Sequence, residues 1–469
     1  MTRITIHPIL PWRSPLYFWL CCITAACFAL GASAEGPEAR PVSIFIPGTQ
    51  GSRMYHPPSG KMVWGRLVDL FFRTDRKDDL NLPVAAHPML ATDTLRPCGL
   101  LHGIKVIPKI YTYDLYGGLM KSLVDAGIVG GDIRNPKPGE TLYAFDYDWR
   151  KDNVLHASDL LTLLDGIRTA HGKPDLLFNV VCHSNGGHIA RYLVKYGRED
   201  VVDEIVKGST ARPNYSGAAY IHRVILIANA YGGALNSLPA FVRGISRASF
   251  GRRYDADLIA SMPGLYCELP FYKPRPFVTE DGTRLDLDIY DVKTWRENEW
   301  GIFNPRRPSG RVVRALRDRF SLRQCFTKGS EEKTESFRMQ QALFFESCLN
   351  RAVAFHTALR QTGQPPGHLE YFAFHSRTTP TVSDIPVRRY GKTWQPIFRV
   401  VQNRRFKVPN AERYKKPGDE YMTTDSQDSL PDDERAILKE TIYLDGVHRL
   451  LLRLPKLRRK LVELITEAQ

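Results

Sequence analysis

The fold is decided by the stretch Leu177-Phe178-Asn179-Val180-Val181-Cys182-His183-Ser184-Asn185-Gly186-Gly187-His188-Ile189-Ala190-Arg191-Tyr192-Leu193. Its first residues form an apolar run that predicts a buried strand, and the residues after Gly187 have the apolar spacing of an amphipathic helix. A serine on a sharp turn between such a strand and such a helix is typical of a nucleophile elbow. Gly186 allows the two backbones to approach, whereas Cys182 replaces the first glycine of the G-x-S-x-G pattern. Ser184 is therefore the candidate nucleophile.

Short apolar runs alternate with helical patterns on both sides of this stretch. Strands are predicted at Val42 to Ile46, Leu142 to Phe145, Leu176 to Val181, Val224 to Ala228 and Leu369 to Phe374. Helices are predicted at Tyr113 to Asp125, Ser158 to Ala170 and Gly187 to Tyr196. Because strands separated by helices usually pair in parallel, the sequence predicts an α/β fold with a mostly parallel sheet and helices on both faces.

The chain divides into a core and an insertion. Residues 41–230 form the first part of the predicted core, within which 52–105 is too long and irregular for a simple loop and predicts a lid. Residues 231–367, rich in proline, arginine and aromatic residues, predict an inserted cap. Residues 368–469 complete the core. They end in a predicted helix, packed on the sheet or lying on a lipid surface, with these leucines on one face: Leu454, Leu457, Leu461 and Leu464.

The composition excludes several classes of protein. With 25% charged and 43% hydrophobic residues in 469, the chain is neither disordered, collagen-like nor a polytopic membrane protein. The 65 lysines and arginines exceed the 50 acidic residues by 15, but no block of them resembles a nucleic-acid-binding arm. The excess is spread out. It predicts either a solvated basic surface or attraction to anionic lipid head groups, and no nucleic-acid partner.

The N-terminus has the layout of a secretory signal peptide. Arg3 and Arg13 precede an apolar run from Leu16 to Leu30, and Ala32-Ser33-Ala34 offers a small-residue cleavage site. Residues 1–34 are therefore predicted to be removed and the chain to be exported, to the periplasm or the medium. An uncleaved anchor and a lipobox at Cys27 are the alternatives.

Five cysteines follow the predicted cleavage site, and an exported compartment permits disulfides. The odd number leaves at least one thiol free, and Cys182, at the end of an apolar strand, is the expected buried free thiol. Cys325 and Cys348 form a plausible pair, although the connectivity does not follow from the sequence. No cysteine and histidine spacing resembles a zinc site, and no glycine-rich phosphate loop is present.

A serine nucleophile needs a histidine base and an acid that orients it. In this type of fold the chain order is serine, acid, histidine. Among 13 histidines, His448 lies near the C-terminus after a cluster of carboxylates, and His375, at the end of a predicted strand, is its rival. His183, next to Ser184, is expected to point away from the nucleophile. His448 is therefore the candidate base.

The acid and the oxyanion donors are less sharply defined by the residues alone. Asp419 follows a glycine and is favoured as the acid, with Asp425 as the alternative, because spacing cannot separate them. Acyl transfer also needs two N–H donors directed at the tetrahedral oxyanion. The elbow itself places the amide of Asn185, and the glycine-rich loop from Ile44 to Ser52 has the setting of the second donor.

Several motifs together resemble the lecithin:cholesterol acyltransferase family of α/β-hydrolases, in its bacterial form. The most specific is Tyr147-Asp148-Trp149-Arg150. The others are Pro47-Gly48-x-x-Gly51-Ser52, His183-Ser184-Asn185-Gly186-Gly187, the segment Met262 to Pro270 ending in Leu-Pro, and Gly418-Asp419. The resemblance extends from Pro41 to about Pro455.

The resemblance implies roles for individual residues. It gives Ser184 as nucleophile, Asp419 as acid and His448 as base, with the backbone amides of Gln50 and Asn185 as the oxyanion hole. The sequence departs from the family where Glu420-Tyr421-Met422 stands in place of the usual Gly-Thr-Val after the acid. This departure keeps Asp425 open as an alternative.

The resemblance also implies an activity. A member of this family would move fatty-acyl groups from a phospholipid or related lipid ester to an alcohol or to water, with no cofactor and no metal, in transient contact with a membrane surface. Two other functions stay open: a secreted carboxylesterase of another substrate, and a catalytically silent lipid-binding protein. Activity that falls with acyl-chain length would favour the first alternative.

Aromatic residues of the cap are expected more often to form the core of the cap, with an acyl-chain pocket as the alternative role. They are Tyr266, Phe271, Tyr272, Phe277, Trp295 and Trp300. For Trp64, in the predicted lid, contact with lipid is likewise the alternative role.

Overall fold

The computed structural model describes residues 40–65, 80–107, 111–246, 253–305, 328–398 and 410–467. The predicted signal segment and Cys325 lie outside these residues. No helix in the described part of the chain combines the length and the apolar composition that crossing a bilayer requires.

The strands of the described chain belong to one large sheet and several small ones. In chain order they are β1 Val42–Ile46, β2 Ser52–His56, β3 Lys61–Trp64, β4 Arg96–Leu100, β5 Gly103–Ile107, β6 Tyr111–Asp114, β7 Gly130–Gly131, β8 Leu142–Ala144, β9 Phe178–His183, β10 Ile221–Ile227, β11 Ile245–Ser246, β12 Arg253–Tyr254, β13 Phe277–Val278, β14 Glu370–Ser376, β15 Thr379–Val382, β16 Ile385–Tyr390, β17 Thr393–Pro396, β18 Lys415–Gly418 and β19 Leu438–Leu444.

The large sheet has seven strands in the order β19-β14-β10-β9-β1-β8-β7, and each neighbouring pair is parallel. The predicted α/β fold with a mostly parallel sheet is thereby confirmed. All five predicted strands are present with small shifts at their ends, and the first is found at its predicted bounds. Strand β19 was not predicted; its exposed and half-buried residues outnumber the buried ones, as is typical of an edge strand.

The helices are, in chain order, α1 Gly117–Asp125, α2 Asn153–His171, α3 Gly186–Tyr196, α4 Val201–Val206, α5 Leu238–Arg243, α6 Ala256–Ala260, α7 Pro263–Tyr266, α8 Val292–Glu297, α9 Lys328–Arg360, α10 Thr424–Gln427, α11 Asp432–Ala436 and α12 Pro455–Thr466. The prediction of a helix from Tyr113 was wrong at its start, because residues up to Asp114 pair as β6 with β5. Its apolar side chains Leu119 and Leu123 are buried as expected.

The strands alternate their side chains between two apolar layers, which is why helices cover both faces. Ile44 and Ile46 of β1 point into the layer that contains α2, α3 and much of α9, whereas Phe45 points into the layer of α1 and α12. The predicted C-terminal helix packs on the second layer: Leu457, Leu461 and Leu464 are buried there, and Leu454 only precedes the helix.

The two irregular segments have structure of their own. Part of the predicted lid forms a small antiparallel sheet in the order β3-β2-β4. The predicted cap begins with the short helices α5 to α8, and it ends in α9, which packs on α3 and α4 beside the large sheet. The last helix of this insertion is thus a layer of the core as well as part of the cap.

The cysteines of the described chain are free thiols. Cys182 and Cys348 are both buried and unpaired. The expectation for Cys182 is confirmed, whereas the pairing of Cys325 with Cys348 stays a prediction, because Cys325 lies outside the described residues.

Candidate active site

The elbow places Ser184 in a conformation that few side chains adopt. Its φ is +54°, and its N–H donates to the carbonyl of Ile227 on the neighbouring strand at 3.0 Å. A Cβ at position 186 would lie 2.5 Å from the carbonyl oxygen of Ile46, so only glycine fits there. Cys182, in place of the other glycine, is fully buried in the sheet between β1 and β10. The elbow therefore forms with only one of the two glycines of the G-x-S-x-G pattern, Gly186.

Three side chains from distant parts of the chain meet at this turn. His448 Nε2 lies 3.2 Å from Ser184 Oγ, and His448 Nδ1 lies 2.8 Å from Asp419 Oδ2. All three residues are buried. Backbone bonds fix the arrangement as well, because the N–H of His448 donates to the carbonyl of Asp419 at 2.7 Å. A hydroxyl, an imidazole and a carboxylate in this series can pass a proton from oxygen to nitrogen.

The turn after Asp419 holds its carboxylate in place. The N–H groups of Tyr421 and Met422 donate to Asp419 Oδ1 at 2.9 and 2.6 Å, which leaves Oδ2 directed at His448. Glu420 has a φ of +79° in this turn. Glycine adopts this left-handed conformation most readily, but the turn forms here without one.

The alternative residues lie elsewhere. Asp425 is exposed and forms an ion pair with Lys416 at 2.6 Å. His375 belongs to a separate pair, with its Nδ1 3.1 Å from Asp428.

His183 does not point away from the site as expected. Its ring lies 5.2 Å from that of His448, because the strand ends there and the turn brings both rings to one cavity.

The loop after β1 also approaches Ser184. The N–H of Gly48 donates to the Tyr116 hydroxyl at 3.0 Å, and that hydroxyl lies 3.0 Å from His183 Nδ1. Gln50 has a φ of +65°, and its carbonyl accepts from Trp64 Nε1 at 3.1 Å. We call residues 47–52 the oxyanion loop. Gln50 lines the same cavity as Ser184, and Asn185 immediately precedes helix α3.

Tyr147 of the Tyr-Asp-Trp-Arg motif supports both sides of this arrangement. Its hydroxyl donates to the carbonyl of Pro47 at 3.0 Å and accepts from Asn185 Nδ2 at 3.1 Å. The side-chain amide of Asn185 is also hydrogen-bonded to the side-chain amide of Asn153. One buried phenol thus ties the oxyanion loop to the residue that follows Ser184.

The other residues of the motif are structural. Arg150 is completely buried and pairs with Asp148 and with Asp93, each at 2.7 Å. Burial alone would raise the pKa of Asp148, but the guanidinium of Arg150 holds it below its ordinary value. Trp149 packs edge-on against Trp64 with ring centroids 5.3 Å apart. The motif therefore anchors the small sheet of the predicted lid to the core.

A cavity of about 470 Å³ contains the hydroxyl of Ser184 and the ring of His448. This volume suits a small-molecule pocket. Its apolar lining comes from Trp64, Leu101, Leu115, Ala240, Phe241, Ile245, Ile259 and Leu265. A larger open cleft of about 1460 Å³, beside Asp146 and Tyr147, does not include Ser184 or His448.

The aromatic side chains proposed for the acyl pocket are mostly core residues of the cap. Trp64 lines the cavity, but the six cap aromatics do not. Trp295 and Trp300 instead pack with centroids 5.8 Å apart, and Phe277 lies 4.9 Å from Trp300. A cap of this size needs an apolar core of its own, and these side chains form that core.

Glu268 of the cap is a site residue that the sequence analysis missed. Its carboxylate lines the cavity and accepts hydrogen bonds from the hydroxyls of Thr49 and Tyr421. Burial raises its pKa above the ordinary value, although these hydroxyls and the charges of His448 and Arg449 act in the opposite direction. The available signal was one acidic residue within the apolar segment that ends in Leu-Pro.

No group of three or more histidine, cysteine or acidic residues suited to a metal ion occurs within the described ranges.

The parallel sheet, the elbow and the cap define an α/β-hydrolase. Comparison with a chain in the crystal structure of the Tle4-Tli4 complex agrees: that chain is 12% identical, with 92% of this chain and 98% of that chain covered and a TM-score of 0.50. Lipase 1 from Pelosinus fermentans is 13% identical, with 92% and 100% covered and a TM-score of 0.35. The Bacillus licheniformis lipase BlEst2 is 11% identical, with 93% and 97% covered and a TM-score of 0.32.

Within that class, residues 94–249 match the family model of the lecithin:cholesterol acyltransferases. The resemblance seen in the motifs is confirmed for this part of the chain, which contains the Tyr-Asp-Trp-Arg motif and the elbow. No curated protein matches the chain. The match to the family model supports acyl transfer or ester hydrolysis as the chemistry of the chain.

Proposed function

We propose that the protein is a serine-dependent lipid O-acyltransferase or acylhydrolase of the phospholipase type. The observation that carries this proposal is the position of His448, within hydrogen-bond distance of both Ser184 and Asp419 in an apolar cavity. The cavity suits a fatty-acyl chain, and the excess of basic residues suits contact with anionic lipid surfaces.

Each residue has a defined role in the proposed reaction. Ser184 Oγ attacks the ester carbonyl as His448 Nε2 takes its proton, and Asp419 stabilises the imidazolium that forms. The N–H groups of Gln50 and Asn185 hold the developing oxyanion. Collapse breaks the ester bond, and His448 returns the proton to the departing alcohol.

The second half of the reaction decides between transfer and hydrolysis. His448 takes a proton from an alcohol or from water, whose oxygen attacks the acyl-serine; the bond from the acyl carbon to Ser184 Oγ then breaks, and His448 returns the proton to Ser184 Oγ. An apolar cavity favours an alcohol acceptor to the extent that it excludes water.

The test incubates the mature protein, beside Ser184→Ala, with phospholipid vesicles that carry labelled acyl chains and a sterol. Label in a new ester, dependent on Ser184, identifies an acyltransferase, and label only in free fatty acid identifies a phospholipase or lipase. Turnover confined to short soluble esters would identify a carboxylesterase. Vesicle binding that is unchanged by Ser184→Ala, without any turnover, would identify a silent lipid-binding protein and contradict the proposal.

We further propose that the protein is exported, on the strength of its N-terminal sequence. Expression of the full chain in a bacterium should yield a periplasmic or secreted protein that begins at Glu35. Intact-mass measurement and N-terminal sequencing check this. A full-length product retained in the cytoplasm would contradict it.

A further inference from the structure

We propose that Glu268 is a positioning residue through which the cap completes the active site: its carboxylate links the oxyanion loop to the tyrosine that covers His448. The inference rests on the proposed function and adds a residue from outside the triad and the oxyanion hole.

Glu268 itself is held rigidly. Its N–H donates to the carbonyl of Leu265 at 3.1 Å, and its own carbonyl accepts from Ala234 N–H at 2.8 Å and from the Ser237 hydroxyl at 2.9 Å. Only 9% of the residue is exposed. The backbone that carries the carboxylate is therefore held in place at the point where the cap meets the core.

The two hydroxyls that Glu268 accepts from belong to different parts of the site. Thr49, which donates to Oε1, immediately precedes Gln50 in the oxyanion loop. Tyr421, which donates to Oε2 at 3.2 Å, stacks on the ring of His448 with centroids 5.2 Å apart and an interplanar angle of 28°. One carboxylate thus sets the distance between the oxyanion donor and the ring that moves the proton.

Tyr421 also reaches the acid. Its N–H donates to Asp419 Oδ1 at 2.9 Å, so a shift of Tyr421 would disturb the carboxylate as well as the imidazole. The loop that carries Tyr421 makes further contacts with the cap: Asn236 Nδ2 donates to the carbonyl of Glu420, and Thr423 Oγ1 donates to the Tyr272 hydroxyl at 3.1 Å. The cap therefore holds this loop at several points, and Glu268 holds it at the tyrosine that stacks on His448.

The choice of a carboxylate here calls for a reason beyond packing. The carboxylate of Glu268 is hydrogen-bonded to two hydroxyls rather than to a lysine or arginine, and the charges of His448 and Arg449 lower its pKa less than burial raises it. Burying a carboxylate that is not paired directly with a cation is unfavourable, so a structural link alone would be better made by a neutral side chain. Beside His448, the negative charge favours the imidazolium that forms when Ser184 loses its proton.

The test compares Glu268→Gln with Glu280→Gln, which removes a carboxylate from an exposed cap residue paired with Arg388. Hydrolysis of a soluble p-nitrophenyl ester is measured with each. Glu268→Gln should lower kcat by about 10- to 100-fold, an effect comparable to the loss of other residues that orient a functional group through a hydrogen bond, while KM and the thermal midpoint stay near those of the parent. Glu280→Gln should behave as the parent.

Thr49→Val and Tyr421→Phe test the link even if Glu268→Gln does not fold. Each should lower kcat with little change in KM. Because the three residues act as a unit, adding Thr49→Val to Glu268→Gln should cost much less than the two separate losses combined.

The outcomes separate this inference from the proposed function. Full kcat in Glu268→Gln, or a loss that follows the thermal midpoint, would overturn the role of Glu268 and leave the triad intact. A parent with no Ser184-dependent turnover and no labelling of Ser184 by a fluorophosphonate would overturn both, because there would be no acyl transfer for Glu268 to assist.

Discussion

Asp419 and Asp425 have the same side chain and lie in the same short segment, yet their surroundings differ completely. Asp419 is fully buried, accepts two backbone N–H groups and contacts His448, whereas Asp425 is half exposed and pairs with Lys416. A carboxylate can orient an imidazole only from within hydrogen-bond distance, so the two residues give a matched pair for experiment.

We expect Asp419→Asn to lower kcat by about 10⁴-fold, because an amide at this position favours the wrong tautomer of His448. Asp425→Asn should retain the activity of the parent. Single-turnover acylation by a p-nitrophenyl ester measures both, with circular dichroism to check folding. Equal activities of the two variants would refute the assignment of the acid.

At the scale of elements, helix α3 is anchored by buried charges as well as by apolar packing. Arg191 pairs with Glu434 at 2.5 Å, and Lys195 pairs with Asp433 and Glu434 at 3.1 and 3.0 Å. These side chains are almost inaccessible to water. They join the helix that follows Ser184 to α11, in the last part of the chain.

Glu434→Gln should therefore lower the free energy of unfolding by about 3–5 kcal/mol, because it leaves two buried cations without full compensation. Asp165→Asn is the control: Asp165 and Arg198 form an exposed pair, whose loss should cost at most about 1 kcal/mol. Urea titration of both variants measures the difference. A cost for Glu434→Gln no larger than that of the control would show that the buried cluster adds no stability.

At the scale of the whole molecule, burial favours the neutral form of four histidines in the described chain. Burial lowers the pKa of His156, His183, His188 and His356, in the case of His188 to about 3. The unfolded chain binds protons at these residues below about pH 6.5, where the folded chain does not. Their contribution to stability is thus fully present above pH 6.5 and is lost as the pH falls.

The free energy of unfolding should accordingly decrease between pH 6.5 and 4, by up to about 1.4 kcal/mol per pH unit for each such histidine. Glu268 contributes a change of the opposite sign, because its pKa is raised in the folded state and its protonation at low pH therefore favours folding. It is a single group, whereas four histidines lower the stability. Urea titrations at a series of pH values measure the slope. His188→Gln should make it shallower, and a flat profile would contradict the burial of neutral histidines.

The features that the sequence predicted well are local. The run from Val42 to Ile46 and the elbow at Ser184 were predictable because apolar spacing and a tight turn depend on neighbouring residues. The strand Leu438–Leu444 was not predicted, since an edge strand with an exposed face lacks a strong apolar pattern. For the cap aromatics both a pocket and the core of the cap stayed open, because aromatic content does not distinguish a cavity wall from a core.

By itself, the sequence determined the class of fold, the candidate nucleophile and the order of serine, acid and histidine along the chain. Only the tertiary structure decided that Asp419 rather than Asp425 contacts His448, and that Glu268 of the cap reaches Thr49 and Tyr421. The reason is physical: Ser184 and His448 are 264 residues apart, and such contacts depend on how whole layers pack. No local pattern encodes that packing.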